Sequence, residues 1–346
     1  MTFQSMFNLK GKRFFRLTRK DDEGLITYSL LTPSFFLFGP FLKGVNIFYK
    51  NLEYVVSEII KDGYKIDLIH AHSFLQAGVC ATRLAKKLNI PIITTEHSSG
   101  IIKGTLPKND IKLLKETVIS SDRFICVSQH LKDTIISLTG ISNNVLVIPN
   151  LVDDRFFYKE KDESKEIFKF ISIGNLIRTK RFDLLITSFA RAFKNNNFVK
   201  LEIVGDGCLR KELIHLVQEL DIQSKVTFTG KVSRDDVANH LNSSNAFVLV
   251  SDHETFGVVY IEALACGLPI IATKNGGADD IVNNSNGLFI NTNDMHALEE
   301  SLINMYNNSS KFNRKTISVD CKNRYGSDII AEALSKLYAD VISEYH

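Results

Sequence analysis

The chain has 346 residues, of which 44% are hydrophobic and 23% charged, and its formal net charge at pH 7 is +3. This length suffices for two domains of ordinary size, and the composition is that of a globular protein. The mild charge gives no indication of nucleic-acid binding. The five scattered cysteines predict neither a disulfide framework nor a metal site, and no apolar run is long enough to span a bilayer.

The N-terminal stretch combines aromatic and basic side chains. The basic residues that lie closest together are Lys10, Lys12, Arg13, Arg16, Arg19 and Lys20, with Phe14 and Phe15 among them. Two interpretations stay open. The stretch forms one or two core strands with a solvated basic face, or it rests on an anionic membrane surface through cations and shallow aromatic rings.

From residue 46 the pattern alternates between helix and strand. A helix is predicted over 46–61, and the strands that follow it are predicted at 66–70, 90–95, 123–127 and 145–148. This alternation favours a parallel, doubly wound α/β sheet. The segment 149–153 breaks the pattern and a charged run follows at 159–169, so we predict a first domain over 1–150 and a second over 151–326.

Three predicted strands of the second half end in glycine. The strands at 168–173, 201–204 and 226–229 are followed by Gly174, Gly205 and Gly230. Open parallel sheets bind their ligands at the carboxyl ends of their strands, so we expect a binding site there. The segment Gly205-Asp206-Gly207 lacks the full G-x-G-x-x-G spacing of a dinucleotide site. A last amphipathic helix is predicted over 329–342.

The stretch 251–282 organises the second half. A polar loop carries Glu254, Phe256 and Gly257 to a helix that ends near Gly267. The free N–H groups at the start of this helix predict an anion site, with Glu254 at its mouth and Glu262 two turns deeper. After a second apolar strand, Gly276-Gly277 is expected to open another glycine-bearing turn before a further helix.

These residues in this order resemble the retaining glycosyltransferases of family 4, which have the GT-B fold and an E-x7-E motif. The resemblance implies two Rossmann-like domains facing a cleft, with a C-terminal helix over 327–346 that returns to the first domain. It implies that Glu254 binds the donor sugar, that Glu262 holds the ribose, and that Phe256, Gly257 and Val258 contact the donor. The strand, glycine-rich loop and helix with which this family begins are not visible before Asn46, which indicates a shortened N-terminal domain.

The segment Gly174-Asn175-Leu176-Ile177-Arg178-Thr179-Lys180 resembles the family loop in which an Arg and a Lys clamp the donor diphosphate. Lys180 matches the lysine, but Asn175 stands where the family has arginine. Arg178 or Arg181 is the candidate for the missing charge. Gly174 and Gly205 are expected to line the donor site, and Val232 to contact the base through its backbone.

In the first half, the resemblance assigns a place beside the reacting sugar to His97. His72 is the second candidate, on the acceptor side. The chain contains no Asp-x-Asp motif, so we expect no metal and no other cofactor.

The predicted function is metal-independent, retaining transfer of a sugar from a UDP- or GDP-sugar to a glycan or lipid-linked acceptor in polysaccharide synthesis. The alternative is a binding or regulatory module that holds the nucleotide sugar but has lost catalysis. The expected location is the cytoplasm, with peripheral association to the inner face of the plasma membrane.

Overall fold

The computed structural model describes residues 16–22, 24–31, 41–160 and 167–345. Of the N-terminal basic cluster, Lys10, Lys12 and Arg13 lie outside the described residues. The chain divides into two compact units. The first contains the residues up to Glu96 with Pro107–Phe124 and Asp340–His346, and the second contains His97–Leu106 and Ile125–Ala339. The predicted boundary near residue 150 and the returning C-terminal helix stay predictions.

A β-hairpin precedes the first described helix. Strands β1 (Arg16–Asp22) and β2 (Leu25–Leu31) pair antiparallel. The Arg19 guanidinium donates to the Tyr64 hydroxyl at 3.3 Å, beyond the end of helix α1 (Phe41–Lys61). Arg19 and Lys20 are both exposed. The hairpin confirms the predicted strands, but none of its described residues is buried in a core, and its exposed basic side chains are compatible with both interpretations.

The predicted alternation of helix and strand continues through residue 147. The elements in order are β3 (Ile69–His72), α2 (Val79–Leu88), β4 (Ile92–Glu96), α3 (Ser99–Ile102), α4 (Lys108–Ser120), β5 (Arg123–Cys126), α5 (Gln129–Thr139) and β6 (Val145–Val147). The four strands follow the order β3-β4-β5-β6 in one sheet, and β3 pairs parallel with β4.

The second unit is built on a six-stranded sheet with the order β12-β11-β10-β7-β8-β9, in which every pairing is parallel. Its strands are β7 (Phe168–Ile173), β8 (Val199–Val204), β9 (Val226–Gly230), β10 (Ala246–Leu249), β11 (Ile270–Thr273) and β12 (Gly287–Ile290). Its helices are α6 (Phe182–Phe193), α7 (Arg210–Glu219), α8 (Arg234–Asn242), α9 (Val258–Ala265), α10 (Met295–Asn308) and α11 (Arg314–Tyr325), and α12 (Ser327–Tyr345) follows. The predicted α/β class with parallel sheets is confirmed.

The core of this unit is built around central strands that are buried on both faces. All four residues of β10 and all four of β11 are buried, which explains their continuous apolar runs. Helix α6 packs Phe189 and Phe193 against Phe170 of β7, with ring centroids 6.4 and 5.8 Å from that of Phe170.

The helix predicted after Gly276-Gly277 is wrong, because the structure has only a single turn there. The Asn275 side chain accepts from the Ala278 N–H at 3.0 Å and starts the turn. The Asn286 side chain then accepts from the Asn283 N–H at 2.8 Å. Asparagine side chains that bond to nearby backbone compete with helix propagation, so the turn ends after Val282.

A buried carboxylate ties three strands to helix α8. Glu202 of β8 accepts hydrogen bonds from Lys169 Nζ at 2.9 Å and from Thr229 Oγ1 at 2.8 Å. His240 Nδ1 of α8 lies 2.8 Å from Glu202 Oε1. Burial opposes ionisation of Glu202, but Lys169, Thr229 and His240 outweigh it, so the pKa of the carboxyl is lowered. The network ties the C-terminal end of α8 to strands β7, β8 and β9.

Replacing Glu202 with Ala should destabilise the second unit by about 2 kcal/mol at pH 7, because Lys169 and Thr229 lose their buried acceptor. For a domain of this size the loss corresponds to a fall in Tm of roughly 4–8 °C by calorimetry. A lowered folded pKa contributes stability above the unfolded value of about 4.3. That stability is lost as the pH falls through the folded pKa of Glu202. The difference in the free energy of unfolding between Glu202→Ala and the wild type should therefore become smaller in acid.

The matched control is Glu332→Ala, which removes an exposed carboxylate from α12. It should change stability by less than about 0.5 kcal/mol. Equal Tm values for Glu202→Ala and the wild type at pH 7 would contradict the stabilising role of the network.

Candidate functional site

The second unit contains a cavity of about 820 Å³ at the carboxyl ends of β7, β8 and β9. Predicted site residues that line it are His97, Gly174, Asn175, Lys180, Gly205, Val232, Glu254, Phe256, Gly257, Val258 and Glu262. Lining residues that the sequence reasoning did not name include Ser99, Asn150, Phe156, Asp206, Lys231 and Arg234. Arg178 and His72 are not among the lining residues.

Gly257 turns the chain into helix α9. Its φ of 83° lies in the left-handed region, and a Cβ at this position would meet the Tyr260 ring at 2.5 Å. Only glycine therefore permits this entry to the helix. The turn directs the first residues of α9, Val258 and Val259, to line the cavity. Their N–H groups have no partner within the helix, which makes this end suitable for an anion.

A buried tyrosine, Tyr260, holds the same turn in place through hydrogen bonds. The Tyr260 hydroxyl donates to the Leu249 carbonyl at 3.2 Å and accepts from Asn275 Nδ2 at 3.0 Å. Complete burial raises the pKa of Tyr260 well above its usual value, so the phenol stays neutral. The Glu254 N–H donates to the Asn275 carbonyl at 3.1 Å, which holds the Glu254 loop to the loop that follows β11.

Lys180 and Glu254 form an ion pair inside the cavity. The Lys180 ammonium donates to Glu254 Oε1, and their side chains are only 20% and 12% exposed. Lys180 ends the short helix Arg178–Lys180 after β7, whereas Glu254 lies on the loop after β10. The predicted clamp lysine and the predicted sugar carboxylate are therefore direct partners in this structure.

Glu262 forms the second ion pair of the cavity. Arg234 Nη2 donates to Glu262 Oε1 at 2.5 Å, and the Glu262 side chain is 8% exposed. Burial raises the pKa of Glu262, and the charge of Arg234 opposes that rise. The Arg234 guanidinium also lies over the ring of Phe156, with its Cζ 5.4 Å from the ring centroid. The sequence could have indicated Arg234 as a site residue, because it follows Gly230, the last residue of β9, by four positions.

Glycines after β7 and β8 allow two loops to pack backbone to backbone. A Cβ on Gly205, whose φ is 137°, would come within 2.0 Å of the Gly174 carbonyl oxygen. The Leu176 N–H donates to the Asp206 carbonyl at 2.9 Å across the same contact. Gly205 lines the cavity, but its glycine requirement comes from this packing.

Arg178 and Arg181, the candidates to replace the arginine that clamps the diphosphate in the family, do not line the cavity. Arg178 is exposed. Arg181 pairs with Asp183 at 3.2 Å and with Asp252 at 3.5 Å, and it does not line the cavity. Besides Lys180, the cations that do line the cavity are Lys231 and Arg234.

The two candidate histidines belong to different units. His97 lines the cavity of the second unit. In the first unit, His72 stacks on His70 with ring centroids 4.5 Å apart. His70 Nε2 lies 2.6 Å from Thr95 Oγ1, and burial lowers the pKa of His72. A lowered pKa keeps His72 neutral at pH 7.

None of the cysteines lines the cavity. All five cysteines have free thiols, and burial raises the pKa of Cys266 and of Cys321 to about 12. Across residues 16–22, 24–31, 41–160 and 167–345, His, Cys, Asp and Glu side chains nowhere cluster in threes that could hold a metal ion. No helix in this described part of the chain is long and apolar enough to cross a membrane.

Two family models match the chain. The model for glycosyltransferase family 4 covers residues 17–156, and the model for glycosyl transferases group 1 covers residues 153–318. An uncharacterized glycosyltransferase from Methanocaldococcus jannaschii is 32% identical over 273 residues, which are 78% of this chain and 73% of that protein.

Solved structures show the same fold. Sucrose-phosphate synthase from Thermosynechococcus elongatus matches with a TM-score of 0.78 and 21% identity, over 97% of this chain and 87% of that one. HepE from Anabaena, solved in complex with UDP and glucose, matches with a TM-score of 0.71 and 19% identity, over 84% and 82% of the two chains. The chain therefore belongs to the family 4, group 1 glycosyltransferases and is an enzyme with the two-domain GT-B fold.

Proposed function

We propose that the enzyme transfers a sugar, with retention and without a metal, from a nucleotide sugar to a glycan or lipid-linked acceptor in cell-surface polysaccharide synthesis. The observation that carries the proposal is the convergence of Lys180, Glu254 and Glu262 on one cavity at the start of α9. The complex of HepE with UDP and glucose supports a nucleotide-sugar donor, since that protein shares the fold.

In this proposal the diphosphate binds between Lys180 and the free N–H groups of Val258 and Val259. In this arrangement the groups face the diphosphate oxygens on which negative charge grows as the bond to the anomeric carbon breaks, and stabilising that charge lowers the barrier. A diphosphate competes with Glu254 for the Lys180 ammonium. Glu254 is then released to accept hydrogen bonds from the donor sugar, while Glu262 accepts from the ribose hydroxyls.

The transfer step needs no carboxylate nucleophile. The bond between the anomeric carbon and the phosphate oxygen breaks, and the acceptor oxygen bonds to the same face of that carbon. The departing phosphate oxygen takes the acceptor proton, so the products are the glycoside and a protonated nucleoside diphosphate. His97 is proposed to hold the sugar or acceptor hydroxyls beside this step.

Replacing Glu254 with Ala should lower turnover by at least about 10²–10³-fold, because contacts to the reacting sugar are lost. Binding of the nucleoside diphosphate should remain within a few-fold of wild type, since Lys180 and the α9 N–H groups are kept. The measurement pairs a donor-consumption assay with calorimetric titration of the nucleotide.

Glu332→Ala serves as the control for removal of a carboxylate, because Glu332 is exposed on α12. Unchanged turnover in Glu254→Ala would contradict the site assignment. Nucleotide binding by the wild-type enzyme without donor consumption, across the acceptors tried, would favour the alternative of a catalytically impaired binding module.

Adding EDTA to the same assay should leave the rate unchanged, since Lys180 and backbone N–H groups supply the positive charge that a metal would supply elsewhere. Restoration of an EDTA-suppressed rate by Mg²⁺ or Mn²⁺ would contradict metal independence. The anomeric coupling constant of the product in NMR reports retention directly.

We place the enzyme in the cytoplasm, with peripheral association to the inner face of the plasma membrane. In the described hairpin, Arg19 and Lys20 are exposed and Leu25 at the tip is 70% exposed. Leu25 pairs with Asp22 at the tip, so the attraction to anionic lipid is proposed to come from Arg19 and Lys20 along the strand and from the basic residues that precede them in the sequence.

The protein should float with vesicles that contain anionic lipid at low salt and be released near 0.5 M salt, because the attraction is screened. Neutral vesicles are the control. Equal recovery with neutral and anionic vesicles, or none with either, would contradict the electrostatic association.

A further inference from the structure

Arg234 makes the one ion pair that the Glu262 carboxylate has in the described part of the chain. Its Nη2 donates to Glu262 Oε1 at 2.5 Å, and its guanidinium lies over the ring of Phe156. The Glu262 side chain is 8% exposed, whereas that of Arg234 is 56% exposed. A largely buried carboxylate of the cavity is therefore paired with a cation that remains in contact with water.

The position of Arg234 in helix α8 is one where a cation is disfavoured. Arg234 is the first residue of the helix, directly after Ser233, whose Oγ accepts from the Asp236 N–H at 3.2 Å. The positive end of a helix dipole favours acidic side chains, and Asp235 and Asp236 follow accordingly. Local helix stability thus gives no reason for an arginine here, whereas the contact with Glu262 does.

The charges that lie next to this pair cannot replace the guanidinium. Arg155 Nε donates to Asp153 at 2.8 Å, and Arg155 Nη1 donates to Asp235 at 3.0 Å. Arg155 lowers the pKa of Asp153, so that carboxyl group is ionised. Two aspartates against one arginine leave one negative charge in this group. Asp153 raises the pKa of Glu262 and Arg155 lowers it, so their effects oppose each other.

Among the described residues, the other titratable groups beside helix α9 do not supply the missing positive charge either. Cys266 of α9 and Cys321 of α11 have pKa values of about 12, so both thiols are neutral at pH 7. Lys180 is paired with Glu254. Lys231 lines the cavity but is exposed, so solvent screens its charge. The guanidinium is therefore the charge that offsets the burial of the carboxylate.

The protonation state of Glu262 decides how well it can hold a ribose. An ionised carboxylate only accepts hydrogen bonds and has room for several donors, whereas a protonated one gives up part of that capacity. Burial raises the pKa of Glu262, and the charge of Arg234 opposes that rise. Without the guanidinium the carboxyl group would become protonated at a higher pH. Arg234 bonds to Oε1 only, which leaves Oε2 for the ribose hydroxyls.

We propose that Arg234 is a positioning residue that keeps Glu262 ionised and fixes its orientation, so that the enzyme holds the ribose of its donor at mildly acidic as well as neutral pH. The inference rests on the proposed function, since that function places the ribose on Glu262. Arg234 acts through the carboxylate and does not contact the reacting atoms.

The test is calorimetric titration of the full-length protein with UDP at about pH 5.5 and about pH 8. Arg234→Gln keeps a donor toward Glu262 but removes the charge, whereas Arg234→Lys keeps the charge. The Kd of each variant is divided by the wild-type Kd at the same pH, so that titration of the UDP phosphate cancels. For Arg234→Gln this quotient should be at least about threefold larger at the lower pH, because each unit of rise in the Glu262 pKa costs up to about tenfold. For Arg234→Lys it should change by less than about twofold, because the charge is kept.

The sign follows from the form of Glu262 that binds. The ionised carboxylate accepts from the ribose, so affinity is full above the pKa of Glu262 and is lost as the pH falls through it. Removal of the Arg234 charge raises that pKa, so the loss begins at a higher pH in Arg234→Gln than in the wild type. A purely structural role would weaken binding by the same factor at both pH values, and such a constant quotient would overturn the proposal.

Glu262→Gln identifies the titrating group, because its amide does not ionise. When Arg234→Gln is added to Glu262→Gln, the quotient of the two Kd values should not change with pH. A pH-dependent quotient in this pair would assign the titration to another group and overturn the proposal. Arg191→Ala, which removes an exposed arginine of α6 that does not line the cavity, is the control and should leave the Kd within about twofold at both pH values.

The outcomes also distinguish the two levels of inference. Binding of UDP with a constant quotient for Arg234→Gln would overturn the role of Arg234 and leave the nucleotide-sugar function intact. GDP replaces UDP in the same titrations if the wild type binds only GDP. Binding of neither nucleotide at millimolar concentration would overturn the proposed function, and the assignment of Arg234 with it.

Discussion

The cavity depends on one electrostatic constraint: each of its two largely buried carboxylates must have a cation. Glu254 and Glu262 are 12% and 8% exposed, and an ionised carboxylate with so little water is costly unless it is paired. Lys180 reaches Glu254 from the loop after β7, and Arg234 reaches Glu262 from the start of α8. These two pairs draw the segments that follow β7, β9 and β10 around helix α9.

The scaffold beneath the cavity limits where these groups can lie. Tyr260 and Asn275 fix the turn at Gly257, and Glu202 fixes α8, which carries Arg234, to strand β8 through His240. Groups held in this way are available to a ligand with little reorganisation, which is what a site that stabilises developing charge requires. Binding a diphosphate would exchange one partner of Lys180 for another rather than create a new charge in the cavity.

The central strands of the second unit could be predicted because they are buried on both faces. The predicted limits 168–173 match β7, since its apolar run ends abruptly at Gly174. The motif that contains Glu254 and Glu262 also specifies residues between them. Phe256, Gly257 and Val258 were therefore predicted as site residues, and they line the cavity. The helix predicted after Gly277 does not form, because the side chains of Asn275 and Asn286 accept hydrogen bonds from nearby backbone N–H groups.

The ion-pair partners across the cavity could not be predicted from the sequence. Arg234 and Glu262 are 28 positions apart, on helices that follow different strands, and no periodicity relates them. The pairing of Lys180 with Glu254 was missed for the same reason: the family resemblance assigns each to a different part of the donor. The two ion pairs neutralise charge within the cavity, and a motif defined by ligand contacts does not contain that information.

The structure of the enzyme with UDP bound would show directly whether Lys180 exchanges partners. Lys180 Nζ should leave Glu254 and lie about 2.8 Å from an oxygen of the diphosphate at the start of α9. Glu254 would then face the space where the sugar binds, with Glu262 on the ribose. A complex in which Lys180 remains on Glu254, with the diphosphate away from the first turn of α9, would contradict this exchange.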